Sequence, residues 1–284
     1  SAPFGTALQA RIPLIFMPRV IGHGGFAWNG VYISYLDDNY VGNELEMVLH
    51  HEFVHYYDGW IGGEYLPSIF REGLAVFFSG GHFKPEPIPE RAAALLDLDW
   101  YIPLATLADD FYNQQHDVSY LEAAALVQYF HETYGPGSFT EFYRTITPLE
   151  GKTDSQVLDA ALQLEYSLGL VELEAGFLDY LAAQVVTDEI RWDLKLTVAD
   201  YDLVRRYQSL LDPSAYFLTA WLPDGQLMRD RGILADLTRK PTSWKNLLVE
   251  EMISRANTAL FSEEYKSAER LIRRANLVLD FLEP

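Results

Sequence analysis

Leu49-His50-His51-Glu52-Phe53-Val54-His55-Tyr56-Tyr57 is the stretch on which the rest of the chain is organised. It contains His-Glu-x-x-His, and on a helix two histidines four residues apart share one face, with the glutamate beside them. Both imidazoles can then reach one metal ion. Neutral imidazole suits zinc, and a catalytic zinc keeps one position open for water and lowers the pKa of that water to about 7, so a nearby carboxylate can take its proton. Glu52 is the candidate base, His51 and His55 are candidate ligands, and Zn2+ is the expected cofactor. The local signals specify a helix. Asn43 and Glu46 have the spacing of an N-cap and its N3 partner, Leu45, Val48 and Leu49 give an apolar stripe, and Gly59 is a natural stop.

A third ligand is needed, and no histidine follows His55 until His82. The segment Pro67-Ser68-Ile69-Phe70-Arg71-Glu72-Gly73-Leu74-Ala75-Val76-Phe77-Phe78 resembles the Glu-Gly-Leu-Ala-x-x-Phe helix that carries the third zinc ligand in gluzincin peptidases of the MA clan. That resemblance assigns Glu72 as the third ligand. Pro67 suits the first turn of this helix and Gly80-Gly81 its end, so Glu72 falls mid-helix among apolar residues, where an unpaired carboxylate is expensive to bury. Asp58 and Glu64 are rivals, read as exposed carboxylates of the Gly-rich connector. In thermolysin-like enzymes an Asp one turn after the third ligand orients a ligand histidine. Here that position is Val76, and the sequence does not identify another group that would orient the histidine.

Further pieces fit the same resemblance, which runs discontinuously from about Ile12 to Ala183. Ile12 to Met17 and Val31 to Tyr35 read as strands around the break Gly22-His23-Gly24-Gly25, giving a small antiparallel sheet ahead of the motif helix. Phe26-Ala27-Trp28-Asn29-Gly30 and the strand after it resemble the thermolysin-like edge strand, which implies that an extended peptide or protein substrate pairs near Phe26–Gly30; Gly25 stands where that family has an asparagine. An ordinary hairpin with a buried Trp is the plain alternative. From His82 to Leu107, four prolines and a short helix near Arg91 read as a surface excursion. Ser119-x-x-Glu122 reads as a capping box opening a helix that ends at Gly135-Pro136. A similar helix, with Tyr near its start, follows the third ligand in MA-type enzymes, which implies Tyr120 as the donor to the oxyanion. His116 and, less well placed, His23 are alternatives, and His131 reads as structural. Asp154 to Gln184 reads as helical, and Leu173-Glu174-x-x-Phe177-x-x-Tyr180-Leu181 resembles the closing helix of those domains.

Composition narrows the rest. The chain has 284 residues, 49% of them hydrophobic, enough for a sizeable core and one or two domains. Asp and Glu number 41 against 21 Lys and Arg, a net charge of −20, which argues against nucleic acid or an anionic membrane surface as partner. Without cysteines there is neither a disulfide framework nor a thiolate metal site. No stretch is long enough for a membrane span, and Ser1-Ala2-Pro3-Phe4-Gly5 is not a signal peptide. With no initiating Met, the expectation is a trimmed chain from an extracellular or cell-envelope setting.

Beyond Val186 the resemblance stops. Tyr201 to Leu211 looks helical, Asp212-Pro213 breaks it, Ala215 to Leu222 is a short aromatic-rich run and Pro223-Asp224-Gly225 is a turn. Leu248, Met252, Ala256, Ala259 and Leu260, then Tyr265, Ala268, Ile272, Ala275 and Leu279, outline one hairpin that looks like a single tetratricopeptide-type repeat. The expected fold is α+β: a small N-terminal sheet, a mostly helical zincin core and a helical C-terminal extension, with a gluzincin-like domain over 1–186 and a helical region over 187–284. The expected function is a zinc-dependent peptidase. Its rivals are a zincin-fold binding or structural protein without turnover, and a zinc hydrolase of a non-peptide amide or glycopeptide. The intact Glu52 weighs against a purely structural site, which four protein ligands would close.

Overall fold

A computed structural model of the chain describes residues 11–17, 24–27, 29–34, 45–61, 65–82, 84–213 and 242–283. Three strands come first: β1 (Leu14–Met17), β2 (Gly25–Ala27) and β3 (Val31–Ser34). Helices follow: α1 (Leu45–Ile61), α2 (Ser68–Ser79), α3 (Ile88–Asp97), α4 (Leu104–Asp109), α5 (His116–Thr133), α6 (Pro136–Thr145), α7 (Asp154–Tyr166), α8 (Leu170–Ala182), α9 (Asp188–Leu211), α10 (Trp244–Phe261) and α11 (Tyr265–Leu282). The class is α+β, mostly helical. The chain separates into two compact units, one of Ser1–Pro13 with Leu49–Arg191 and one of Leu14–Val48 with Trp192–Pro284. No described helix is long and apolar enough to cross a membrane.

The sheet is mixed, not antiparallel as expected. β3 is its central strand, antiparallel to β2 and parallel to β1. β2 and β3 pair antiparallel as consecutive strands, and β1 takes the far side of β3, so the two strands flanking β3 run oppositely. Val31 and Ile33 are buried, while Tyr32 points the other way and stacks on its cross-strand partner Phe26 at 4.5 Å. That is the alternation of a strand with two unlike faces. The substrate-pairing expectation also shifts: the strand after Gly30 is central, and it is β2, with Phe26, that lies at an edge. Trp28 and Tyr35 fall outside the described residues.

In the first unit α2 packs on α5, and glycine sets the distance. A Cβ on Gly73 would lie 2.6 Å from the carbonyl oxygen of Ala123. Around this contact Phe70 meets Phe130, Phe139 and Phe142 edge-on, at 5.6 to 5.7 Å, a favourable aromatic geometry. α2 begins after Pro67, whose carbonyl accepts from Phe70 and Arg71, and ends at Gly80, where φ is 81° and the amides of Gly80 and Gly81 return to Val76.

Several boundaries differ from expectation. α1 runs through Gly59 to Ile61, because glycine inside a helix costs only about 1 kcal/mol and does not break it; Asn43 lies outside the described residues. α5 starts one turn before Ser119, since Gln115 caps it by accepting from the Val118 amide at 2.9 Å. Ser119 is therefore interior, and Glu122 is fully buried, accepting from the Ile102 amide at 3.0 Å. The segment after His82 is not a surface excursion either, for Arg91 to Leu95 of α3 are buried.

The second unit holds a helical core of its own. Leu203, Val204 and Tyr207 of α9 join Val249, Ile253, Ala256 and Leu260 of α10 and Ala268, Ile272, Ala275 and Leu279 of α11. The hairpin is as expected, with Val249 rather than Leu248 facing inward; Leu248 is exposed. Inside it the Tyr207 hydroxyl donates to Glu250 at 2.6 Å and accepts from Asn246 at 3.2 Å. The segments around Ala215 and Pro223 lie outside the described residues.

Candidate metal centre

α1 carries His51 and His55 one turn apart and α2 carries Glu72, and the fold brings the three side chains to one point. Nε2 of His51 lies 3.1 Å from Nε2 of His55, and Oε2 of Glu72 lies 3.6 Å and 3.2 Å from them. Ligand atoms bound about 2.0–2.1 Å from a zinc ion at tetrahedral angles are about 3.3 Å apart. The donor set therefore fits a small divalent cation held by two imidazoles and one carboxylate oxygen. His51 and Glu72 are buried. Burial opposes the charge on Glu72, but His55 and His51 outweigh it and hold the carboxylate well below its usual range.

The other oxygen of Glu72 is occupied. Tyr112, in a single 3-10 turn (Phe111–Asn113), donates its hydroxyl to Oε1 at 2.7 Å. Nothing around position 112 marked this tyrosine in the sequence, because the contact spans forty residues and comes from the packing of that turn. Glu52, next to His51, is buried, and its Oε2 has no hydrogen-bond partner among the described residues. Burial pushes its carboxyl up to about 7, against the pull of His51. A carboxyl poised near neutrality is suited to take and return a proton at neutral pH.

Beside the ligand set lies a second buried layer. Tyr120 of α5 stacks on His82 at 4.3 Å, its ring 6.4 Å from that of His51, and His116 packs on it at 4.3 Å. The two groups expected to serve an oxyanion thus flank His82, whose Nδ1 lies 3.7 Å from Asp117. Burial keeps His82 and His116 neutral, His116 at about 3, and pushes Asp117 up to about 6.

The expected rivals go elsewhere. Asp58 is not a loop carboxylate: it sits in α1, 1% exposed, and its Oδ2 accepts from Tyr143 at 3.0 Å. Its burial comes with the long-range contact to Tyr143 of α6. Glu64 and His23 lie outside the described residues. His131 packs among Phe77, Phe78 and Phe139, away from the ligands. Val76 is fully buried, and Nδ1 of both ligand histidines has no hydrogen-bond partner among the described residues. The chain matches no protein-family model, no curated protein and no solved structure.

Proposed function

We propose that the protein is a zinc-dependent peptidase of the gluzincin kind. The observation that carries this reading is the triangle of His51, His55 and Glu72 beside a buried Glu52 whose Oε2 has no hydrogen-bond partner among the described residues. His51 and His55 through Nε2 and Glu72 through Oε2 would hold the zinc, which when bound supplies Lewis acidity towards water and carbonyl oxygen. Glu52 takes a proton from the water that attacks the peptide carbonyl carbon, and delivers it to the nitrogen as the C–N bond breaks. Tyr120 donates a hydrogen bond to the carbonyl oxygen as negative charge builds there. The water contributes its oxygen to the new carboxyl group, which releases the water's second proton as it ionises, and the amine leaves with the proton that Glu52 delivers.

Zinc content and cleavage of a broad peptide library test this together. Wild type is expected to hold about one zinc per chain, as a single three-ligand site requires. Glu72→Ala loses most of it. Glu52→Gln keeps the zinc but loses at least roughly a hundredfold in cleavage, the scale of general base catalysis. Zinc retained by Glu72→Ala removes Glu72 from the ligand set. Bound zinc with no cleavage of any peptide favours a binding protein or a non-peptide amide substrate.

A further inference from the structure

Three buried polar atoms beside the ligand set lack a hydrogen-bond partner among the described residues: His55 Nδ1, Asp58 Oδ1 and Arg71 Nε. His55 and Asp58 are three residues apart on α1, which places them on one face of that helix. Arg71 immediately precedes the ligand Glu72 on α2. Burial pushes the Asp58 carboxyl up to about 6, against the Tyr143 hydrogen bond and the charges of His55 and Arg71, so the three groups feel one another.

Their hydrogen-bonding roles are complementary. A neutral His55 that gives Nε2 to a metal carries its proton on Nδ1 and is a donor there. Arg71 Nε–H is a donor, and Asp58 Oδ1 is an acceptor. Two donors and an acceptor without direct contact are what one water completes, since it accepts twice and donates; buried waters typically make about 3 hydrogen bonds. The carboxylate at the far end is itself fixed. Tyr143, 2% exposed, donates to Oδ2, and its ring is wedged against Phe139 and Phe70 at 5.9 and 6.2 Å.

We propose that Asp58 is the outer partner of His55, joined to its Nδ1–H through one buried water that also accepts from Arg71, with Tyr143 holding the carboxylate in place. This rests on reading His51, His55 and Glu72 as a metal set. Asp58 is a positioning residue: it fixes the tautomer and plane of an imidazole and makes it a better ligand, as outer carboxylates do for metal-bound histidines.

Asp58→Asn in the full chain tests the proposal, since asparagine has the same size and can still accept from Tyr143. Zinc affinity, read by competition with a chelator, is expected to fall roughly 10- to 100-fold, with far-UV circular dichroism unchanged. In nitrogen-15 imidazole spectra of the zinc-loaded protein, the His55 Nδ1–H resonance is expected to shift while that of His51 stays. Zinc affinity equal to wild type overturns the proposal. Should Asp58→Asn fail to fold, Tyr143→Phe decides: it keeps the charge but frees the carboxylate, and affinity equal to wild type again overturns it. If the wild-type chain binds no zinc, the metal reading itself fails; if wild type binds zinc and the variants bind it equally well, this proposal alone fails.

Discussion

Glu72 divides its two oxygens between different tasks, Oε2 facing the histidines and Oε1 held by Tyr112. Tyr112→Phe leaves Oε1 buried without its donor, and chelator competition is expected to show roughly tenfold weaker zinc binding. Asp117 gives the site's surroundings a pH dependence. Its carboxyl is raised from 3.8 to about 6 by burial, so the stability tied to its neutral form is complete below pH 3.8 and lost as pH rises through about 6. In the metal-free protein, Asp117→Asn is therefore expected to gain thermal stability relative to wild type across that window and hold the gain above it. Thermal melts at several pH values read this directly; a constant difference would refute it. At this scale, legibility depended on separation along the chain. His51, Glu52 and His55 lie within one turn or so and can be read from spacing alone. Glu72 is twenty positions past Glu52, and is reachable through the resemblance of its segment to a known helix. Tyr112, Tyr143 and the buried state of Asp58 come from contacts made across forty to eighty-five residues, which no local pattern encodes.

The α2–α5 contact shows how an element positions a ligand. The Ala123 carbonyl comes so close to Gly73 that a side chain there would clash with it, and Glu72 is one residue away. Gly73→Ala must push the helices apart; overpacking of this kind costs about 1–3 kcal/mol. A lowered urea midpoint and weaker zinc binding are both expected, and a variant that loses stability but binds zinc as wild type would show that the α2–α5 spacing does not set the site. Helices as a class were legible from apolar period and punctuation, their ends less so. Ser119 and Glu122 have the right spacing for a capping box, yet Gln115 captures the Val118 amide first and Glu122 is drawn inward to Ile102. Arg91 looked like a surface residue, but it is buried with Glu86 3.7 Å away. Strand pairing was the least legible, because alternation in β3 shows that its two faces differ and says nothing about which way β1 runs beside it.

At the scale of the molecule, the ligand set and its surrounding layers belong to one unit, while α9, α10 and α11 build the core of the other. Binding to the folded state alone stabilises by RT ln(1 + [L]/Kd), about 2.7 kcal/mol at a hundredfold excess over Kd. Zinc is thus expected to slow hydrogen exchange in α1, α2 and α5 and to leave the amides of α10 and α11 nearly unchanged; equal protection in the hairpin would show that the units open as one. Every group placed around the metal set, from His51 to Tyr143, comes within about the first half of the 284-residue chain. Domains tend to fold as units during synthesis, N-terminal parts first. The stretch of the first unit from Leu49 to Arg191 is therefore translated before α10 and α11, so uptake of zinc by the proposed site would not have to wait for the C-terminal hairpin.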